Sequence, residues 1–230
     1  MTAIVEPRVE LIAHTTLACD GRSPVIEGHM SLDPDAGDAQ QLVEFAGRAC
    51  YQSFAKPNPA TAKNADYINR TLHEQKHWSI AEHATATFYI TGVSRALTHE
   101  LTRHRHLSYS QLSQRFVDES DANIVIPPAA RGSEKLTWEF ENAATGARHS
   151  YRELVEALLD SGLARKKARE AARAVLPNMT ETRIVVTGNM RAWHEVIERR
   201  TAPDADAEFQ QVAGMISDEL KKIAPAIFTD

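Results

Sequence analysis

The sequence predicts an α+β fold: a central, mainly antiparallel sheet flanked by long helices, in one domain over residues 1–230. Three observations predict it. Segments with the composition or two-residue alternation of strands are few and short, long stretches of helical periodicity separate them, and helix crowds the C-terminal end. At 230 residues the chain can bury one sizeable core, and no linker or internal repeat divides it.

In chain order, VELIAHTTL (9–17) reads as the opening strand, and the Pro, Gly and Asp residues of SLDPDAGDAQ (31–40) mark a loop. Helices are expected over 40–50 and 58–76, the second opening on Asn58–Pro59. In ATATFYI (84–90), Ala84, Ala86, Phe88 and Ile90 alternate with Thr85, Thr87 and Tyr89, which is the pattern of a half-buried strand. Gly92 interrupts it, and SRALTHELTR (94–103) follows as a short helix. The clearest helix covers 134–161, where Phe140, Ala144, Ala147, Tyr151, Leu154 and Leu158 form a stripe for packing on another helix. KKAREAARAVL is a helix that Pro177 stops, TRIVVT (182–187) is a β-branched strand, and helices follow near 190–200 and 205–223.

Composition narrows the function. No apolar run approaches the roughly 20 residues of a membrane helix, and the N-terminus lacks the basic-then-apolar pattern of a secretory signal. The two cysteines, Cys19 and Cys50, have neither a CxxC nor a metal-ligand spacing, so a cytoplasmic protein without disulfides is expected. A formal charge of −5 argues against a nucleic-acid partner. Against that background RHRHLSYSQLSQRF (103–116) places three arginines and two histidines in one stretch without a carboxylate.

Familiar motifs fail on spacing. No two glycines stand close enough for GxGxxG or a GxxxxGK phosphate loop, and GxSxG is absent. His99-Glu100 begins like HExxH, but position 103 is Arg, and His77, Glu82 and His83 miss the HxxEH spacing, so no metal is expected. What remains is basic. Arg103 alone is balanced between capping a helix end and holding a ligand. The segment as a whole, with Ser108, Ser110, Gln111, Ser113 and Gln114 between its arginines, suits phosphate oxygens and the edge of a heterocycle. Arg165 and Arg169 read as a solvated helix face beside Arg173, and Asn189, Arg191, Arg199 and Arg200 surround a Trp193 expected in the core. From residues alone the reading ends at an α+β protein that binds a phosphate or nucleotide through several arginines.

Arg103-His104-Arg105, seven residues, then Ser113-Gln114-Arg115 resembles the signature of the flavin-dependent thymidylate synthases. HWSIAEH (77–83), the run 88–115, ARAVLPNMTETRIVVTGNMRAW (172–193) and Arg200 resemble family segments in the same order. The resemblance implies a homotetramer that makes dTMP from dUMP, with 5,10-methylenetetrahydrofolate as carbon donor and FAD, reduced by NADPH, as hydride source. It implies that His77, Ser79, Arg103, His104, Arg105, Gln111, Asn189, Arg191 and Glu195 lie along the FAD. It implies dUMP contacts from Glu100, Leu101, Thr102 and Arg103, from Gln111, Leu112, Ser113, Gln114 and Arg115, and from Arg173 and Arg200, at sites where subunits meet. Arg200 falls where the family activates the pyrimidine ring without a cysteine nucleophile, and the Ser113 hydroxyl, which could be a nucleophile or a phosphate anchor, is read as the anchor because no base for it is evident in the sequence. Many members carry a histidine four residues after the late arginine; this chain has Asp204, which is left out of the site.

Overall fold

The computed structural model of the chain describes residues 3–18, 23–55 and 58–229, which leaves Cys19 outside the described residues. In order come β1 (Arg8–His14), α1 (Pro24–Glu27), α2 (Asp38–Tyr51), α3 (Asn64–Ile68), β2 (Thr85–Ser94), α4 (Arg95–Leu101) and β3 (Leu107–Gln111). Then follow α5 (Glu134–Asp160), α6 (Arg165–Ala172), β4 (Glu181–Asn189), α7 (Met190–Arg200) and α8 (Ala207–Ile223). Among the described residues the sheet runs β1-β2-β4-β3, every neighbouring pair antiparallel, so the expected α+β class and antiparallel sheet are what the chain forms.

The core lies between one sheet face and the helices. Ala84, Ala86, Phe88 and Ile90 are all fully buried, as their alternation requires, and Ile184 and Val186 of β4 join them. Trp193 of α7 sits beneath the sheet: its indole N–H donates to the Ala86 carbonyl at 3.1 Å, and its ring meets Phe88 edge-on at 5.1 Å. Gly188 makes room for it, since a Cβ there would stand 2.2 Å from Leu107 and 3.1 Å from the Trp193 nitrogen. Phe209, Val212, Ala213, Ile216 and Leu220 close the layer from α8. Helix starts follow local chemistry: Ser94, Ser133, Asn189 and Asp206 each accept a backbone N–H of the helix they precede.

Four expectations change. The helix expected over 58–76 is broken into a 3-10 turn (Pro59–Thr61), α3 and a π-helical turn (Asn69–Glu74). The break has a cause in Asn64, whose buried amide donates to the Gln40 carbonyl and the Glu44 carboxylate of α2 and accepts from the Gln40 amide. Glu44 also holds Arg48 at 2.7 Å, so the register of α3 is set by polar contacts with α2 rather than by continuous helix. The segment 107–111 is a strand that its Ser-rich sequence hides. The stripe on α5 is only partly covered, with Ala144 and Tyr151 buried while Leu154 and, off the stripe, Trp138 stay exposed.

The fourth change is at Gly92, which bends β2 rather than ending it. The strand continues to Ser94 across a register shift between Ile90 and Val93. Gly92 has φ +66°, and a Cβ on it would lie 2.0 Å from the Glu6 carbonyl oxygen. Gly92→Ala is therefore expected to destabilise the protein by about 2 kcal/mol or more, from left-handed strain and the clash together. Chemical denaturation checks it; a midpoint equal to that of the unaltered protein would remove the constraint.

Candidate functional site

The Arg-rich stretch is held by the elements on either side of it. Ser94 ends β2 and caps α4, its Oγ accepting the Leu97 N–H at 3.0 Å. Ser94 also donates from its backbone N–H and its hydroxyl to the buried Glu208 carboxylate of α8, at 2.7 and 2.6 Å. Burial raises the Glu208 pKa above the usual carboxylate value, while the two Ser94 donors work against that rise. Leu97 and Leu101 turn into the core, which leaves Glu100 and Thr102 on the outer side of α4. Past the helix, the Tyr109 hydroxyl donates to the carbonyls of Leu101 and His104 at 2.8 and 2.6 Å, so β3 clamps the turn that carries Arg103, His104 and Arg105. Burial pushes the Tyr109 phenol up to about 12, keeping it a donor.

Arg200 reaches this turn from the last residue of α7. Its Nε–H donates to His104 Nε2 at 3.0 Å, Nη1 donates to the Glu100 carboxylate at 3.1 Å, and Nη2 lies 3.4 Å from the Glu100 carbonyl. The guanidinium carbon stands 4.8 Å from the centre of the Phe209 ring. Desolvation first, then the charges of Arg200 and Arg199, lower the His104 pKa to about 4, so the ring is neutral and its Nε2 free to accept. Glu100, Arg103, His104, Arg105, Glu195, Arg199 and Arg200 line a cavity of about 520 Å³.

Two more cavities adjoin this set, and Glu195 borders all three. The larger, about 640 Å³, is lined by His77, Ser79, Arg191 and Glu195 and by a stacked pair, Trp78 and His194, whose ring centres are 3.7 Å apart. The smaller, about 260 Å³, is bordered by Glu82, His106, Asn189 and Arg191. Arg191 is forked between Glu82 at 2.6 Å and Glu195 at 3.3 Å, and those carboxylates raise its pKa further. Asn189 Oδ1 is committed to the Ala192 N–H at 2.8 Å, which leaves its amide N–H groups for other partners. Glu82, Trp78 and His194 are absent from the expected site, and Arg199, read from the sequence among the basic candidates, is given no ligand there; the Glu82 contact spans 109 positions and no local pattern marks it.

The remaining expected residues do not converge on these cavities within one chain. Gln111 donates to Thr98 and Thr182 at 2.9 and 3.1 Å and borders, with Thr102 and Arg95, a fourth cavity of about 550 Å³ that shares Glu100 with the Arg200 cavity. Leu101 is fully buried, and its carbonyl already accepts from Tyr109. Leu112 donates its N–H to the Arg183 carbonyl at 2.8 Å. Ser113 Oγ accepts the Arg115 N–H at 3.4 Å, Arg115 pairs with Glu170 at 2.6 Å, and Gln114 is buried with Nε2 unpartnered among the described residues. Arg173 starts a 3-10 turn after α6; burial lowers the Arg95 pKa and the Arg173 charge adds to that, while Glu119 works against it. Arg169 departs from the solvated face expected of it: it is largely buried, donating to the Phe116 carbonyl and to Asp118, both at 2.6 Å.

A sequence model of the family described as "Thymidylate synthase complementing protein" matches residues 34–226. A protein of Mycobacteroides abscessus named flavin-dependent thymidylate synthase is 52% identical over all of this chain and 92% of its own length. Proteins of the same name from Mycolicibacterium gilvum and Mycobacterium tuberculosis are each 50% identical, over 100% and 97% of this chain and 92% and 89% of theirs. Among the described residues no helix is long and apolar enough to cross a membrane.

Two groups, the half-buried His104 and the buried Glu119, give the stability a pH signature of opposite signs. His104 binds its proton more weakly in the fold, about 4 against 6.5, so its contribution is full above pH 6.5 and is lost as the pH falls toward 4. Glu119 binds its proton more tightly, pushed up to about 7 from 4.5 chiefly by desolvation, so its contribution is full at low pH and is lost as the pH rises toward 7. Thermal midpoints between pH 4 and 7 should fall less on acidification for His104→Gln and more for Glu119→Gln. Parallel curves for all three proteins would contradict both assignments.

Proposed function

The chain belongs to the thymidylate synthase complementing proteins, the flavin-dependent thymidylate synthases, and from that premise we propose how its residues make dTMP. In this reading it methylates dUMP with 5,10-methylenetetrahydrofolate as carbon donor and with FAD, reduced by NADPH, as hydride source. The observation that carries it is Arg200: a guanidinium fixed by a neutral imidazole and a carboxylate, on the wall of a cavity rich in arginine.

The donor set fits a flavin dinucleotide. Arg103 meets Glu100 at a loose 3.9 Å and Arg105 is exposed on the same cavity, so two cations stand ready for diphosphate oxygens. His77, Ser79, Asn189, Arg191 and Glu195, along two adjoining cavities, would hold the rest, together with Gln111 from the 550 Å³ cavity. FAD when bound supplies hydride transfer, and the protein supplies orientation and electrostatics. Arg200 stays protonated and offers donors to negative charge developing on the pyrimidine, so no cysteine need attack the ring. Cys50 is exposed on the 640 Å³ cavity, not on the one that Arg200 lines. For dUMP, Glu100, Leu101, Thr102 and Arg103 would act with Gln111, Leu112, Ser113, Gln114, Arg115 and Arg173, Ser113 as an anchor rather than a nucleophile.

The same reading takes the protein as one domain over 1–230, assembled in the cytoplasm as a homotetramer with sites where subunits meet. Two features support it. Ser113, Gln114, Arg115 and Arg173 stand off from the Arg200 cavity within one chain, so a neighbour would have to bring its copy of them to the substrate. The α5 helix also leaves Leu136 and Leu154, on one side of it, at 43% and 38% exposure, apolar surface that a second copy could cover.

Purified protein is expected to be yellow and to convert dUMP to dTMP with methylenetetrahydrofolate and NADPH. Arg200→Ala should retain flavin and lose about a hundredfold or more in kcat, the scale for one transition-state donor, while Cys19→Ser with Cys50→Ser should keep turnover. Binding of dUMP without turnover would demote the protein to a nucleotide-binding module. Loss of product on replacing the cysteines would return the nucleophile to a thiol.

A further inference from the structure

We propose that His104 and Glu100 are positioning residues that act through Arg200, holding its guanidinium by the Nε edge and, through the Glu100 carboxylate and carbonyl, by both amino groups so that the second N–H of each serves the 520 Å³ cavity. The inference rests on the assignment of Arg200 to the pyrimidine. It goes beyond that assignment by giving the His104 imidazole a task other than contact with the flavin.

An arginine has five N–H donors on a flexible stem, and one contact fixes little. Here one edge is taken by His104 Nε2 at 3.0 Å, the amino groups by the Glu100 carboxylate at 3.1 Å and carbonyl at 3.4 Å, and one face by the Phe209 ring at 4.8 Å. A planar group held at an edge, an end and a face has a single orientation. The choice of imidazole has a reason. A second carboxylate at Nε would neutralise the cation that the pyrimidine needs, whereas a neutral acceptor orients it and leaves the charge in place.

The acceptor role requires a neutral ring, and the surroundings supply one. Arg200 and Arg199 of α7 and desolvation disfavour the imidazolium; Glu195 of α7 and Glu100 of α4 favour it and are outweighed; Phe209 of α8 meets the ring edge-on at 6.1 Å and carries no charge. Protonation would set a donor against the Arg200 Nε–H. The backbone at 101 and 104 is held separately by Tyr109, so the imidazole can be replaced while the turn keeps its path.

A double-mutant cycle with matched flavin content tests this. His104→Phe keeps a ring and removes the acceptor; its kcat should fall about a hundredfold, the scale of a small misplacement of a reacting group, with a smaller change in KM for dUMP. His104→Gln, which returns an acceptor, should recover most of that loss. In the Arg200→Ala background His104→Phe should cost nothing more, because the two act as a unit. The full factor appearing again in that background, or equal damage from Phe and Gln, would overturn the inference and leave the assignment of Arg200 standing. Wild-type turnover in Arg200→Ala would overturn both. If His104→Phe fails to hold flavin, Glu100→Gln takes its place in the cycle. Independent of activity, the Arg200 Nε–H resonance, assigned by its loss in Arg200→Lys, should exchange slowly with water and merge with exposed arginines in His104→Phe; an unchanged resonance would overturn the proposal.

Discussion

A buried carboxylate governs the geometry of this protein. Glu208 is 7% exposed, and an ionised carboxylate so placed costs several kcal/mol unless it is hydrogen-bonded. Its partners are the N–H and hydroxyl of Ser94, at the point where β2 becomes α4. Satisfying that group therefore ties α8 to the end of the central strand and sets where α4 begins. Glu100 and the Arg103-His104-Arg105 turn follow from that start. The next residue on α8, Phe209, lies under Arg200 and beside His104, so one helical turn anchors the junction and supports the guanidinium.

The arginines of the site divide by how firmly each is held. Arg200 has three contacts and is mostly buried, Arg191 is forked between two carboxylates, and Arg103 and Arg105 are loose and exposed. Firmly held cations orient a reacting group; loosely held ones exchange a weak contact for a ligand's phosphate at little cost. Carboxylates from other elements offset several of these charges: Glu100 meets both Arg103 and Arg200, Glu195 meets Arg191, and Glu170 meets Arg115.

Much of this was legible in the sequence, and what was not has physical reasons. The alternation in ATATFYI and the β-branched TRIVVT gave β2 and β4, because burial on one face leaves a period of two. LSYSQ was not read as a strand, since its serines point outward and only Leu107 of its five residues is fully in the core. The break before α3 depends on Asn64 bonding across 20 to 24 positions to α2, which no local window contains. Gly92 was seen as a stop but is a bulge, a distinction that lies in its neighbour Glu6 rather than in itself. In the site, the residue types were legible and the pairings were not: Arg200 with Glu100 and His104, and Arg191 with Glu82, join residues about a hundred positions apart.

The measurement that tests the account most directly is growth of a thymidine-requiring bacterial strain, blocked in its own thymidylate synthase, that carries this chain. Growth without thymidine is expected from the unaltered protein and not from Arg200→Ala at equal soluble levels. Failure of the unaltered, soluble protein to support growth, or equal growth with both, would contradict it.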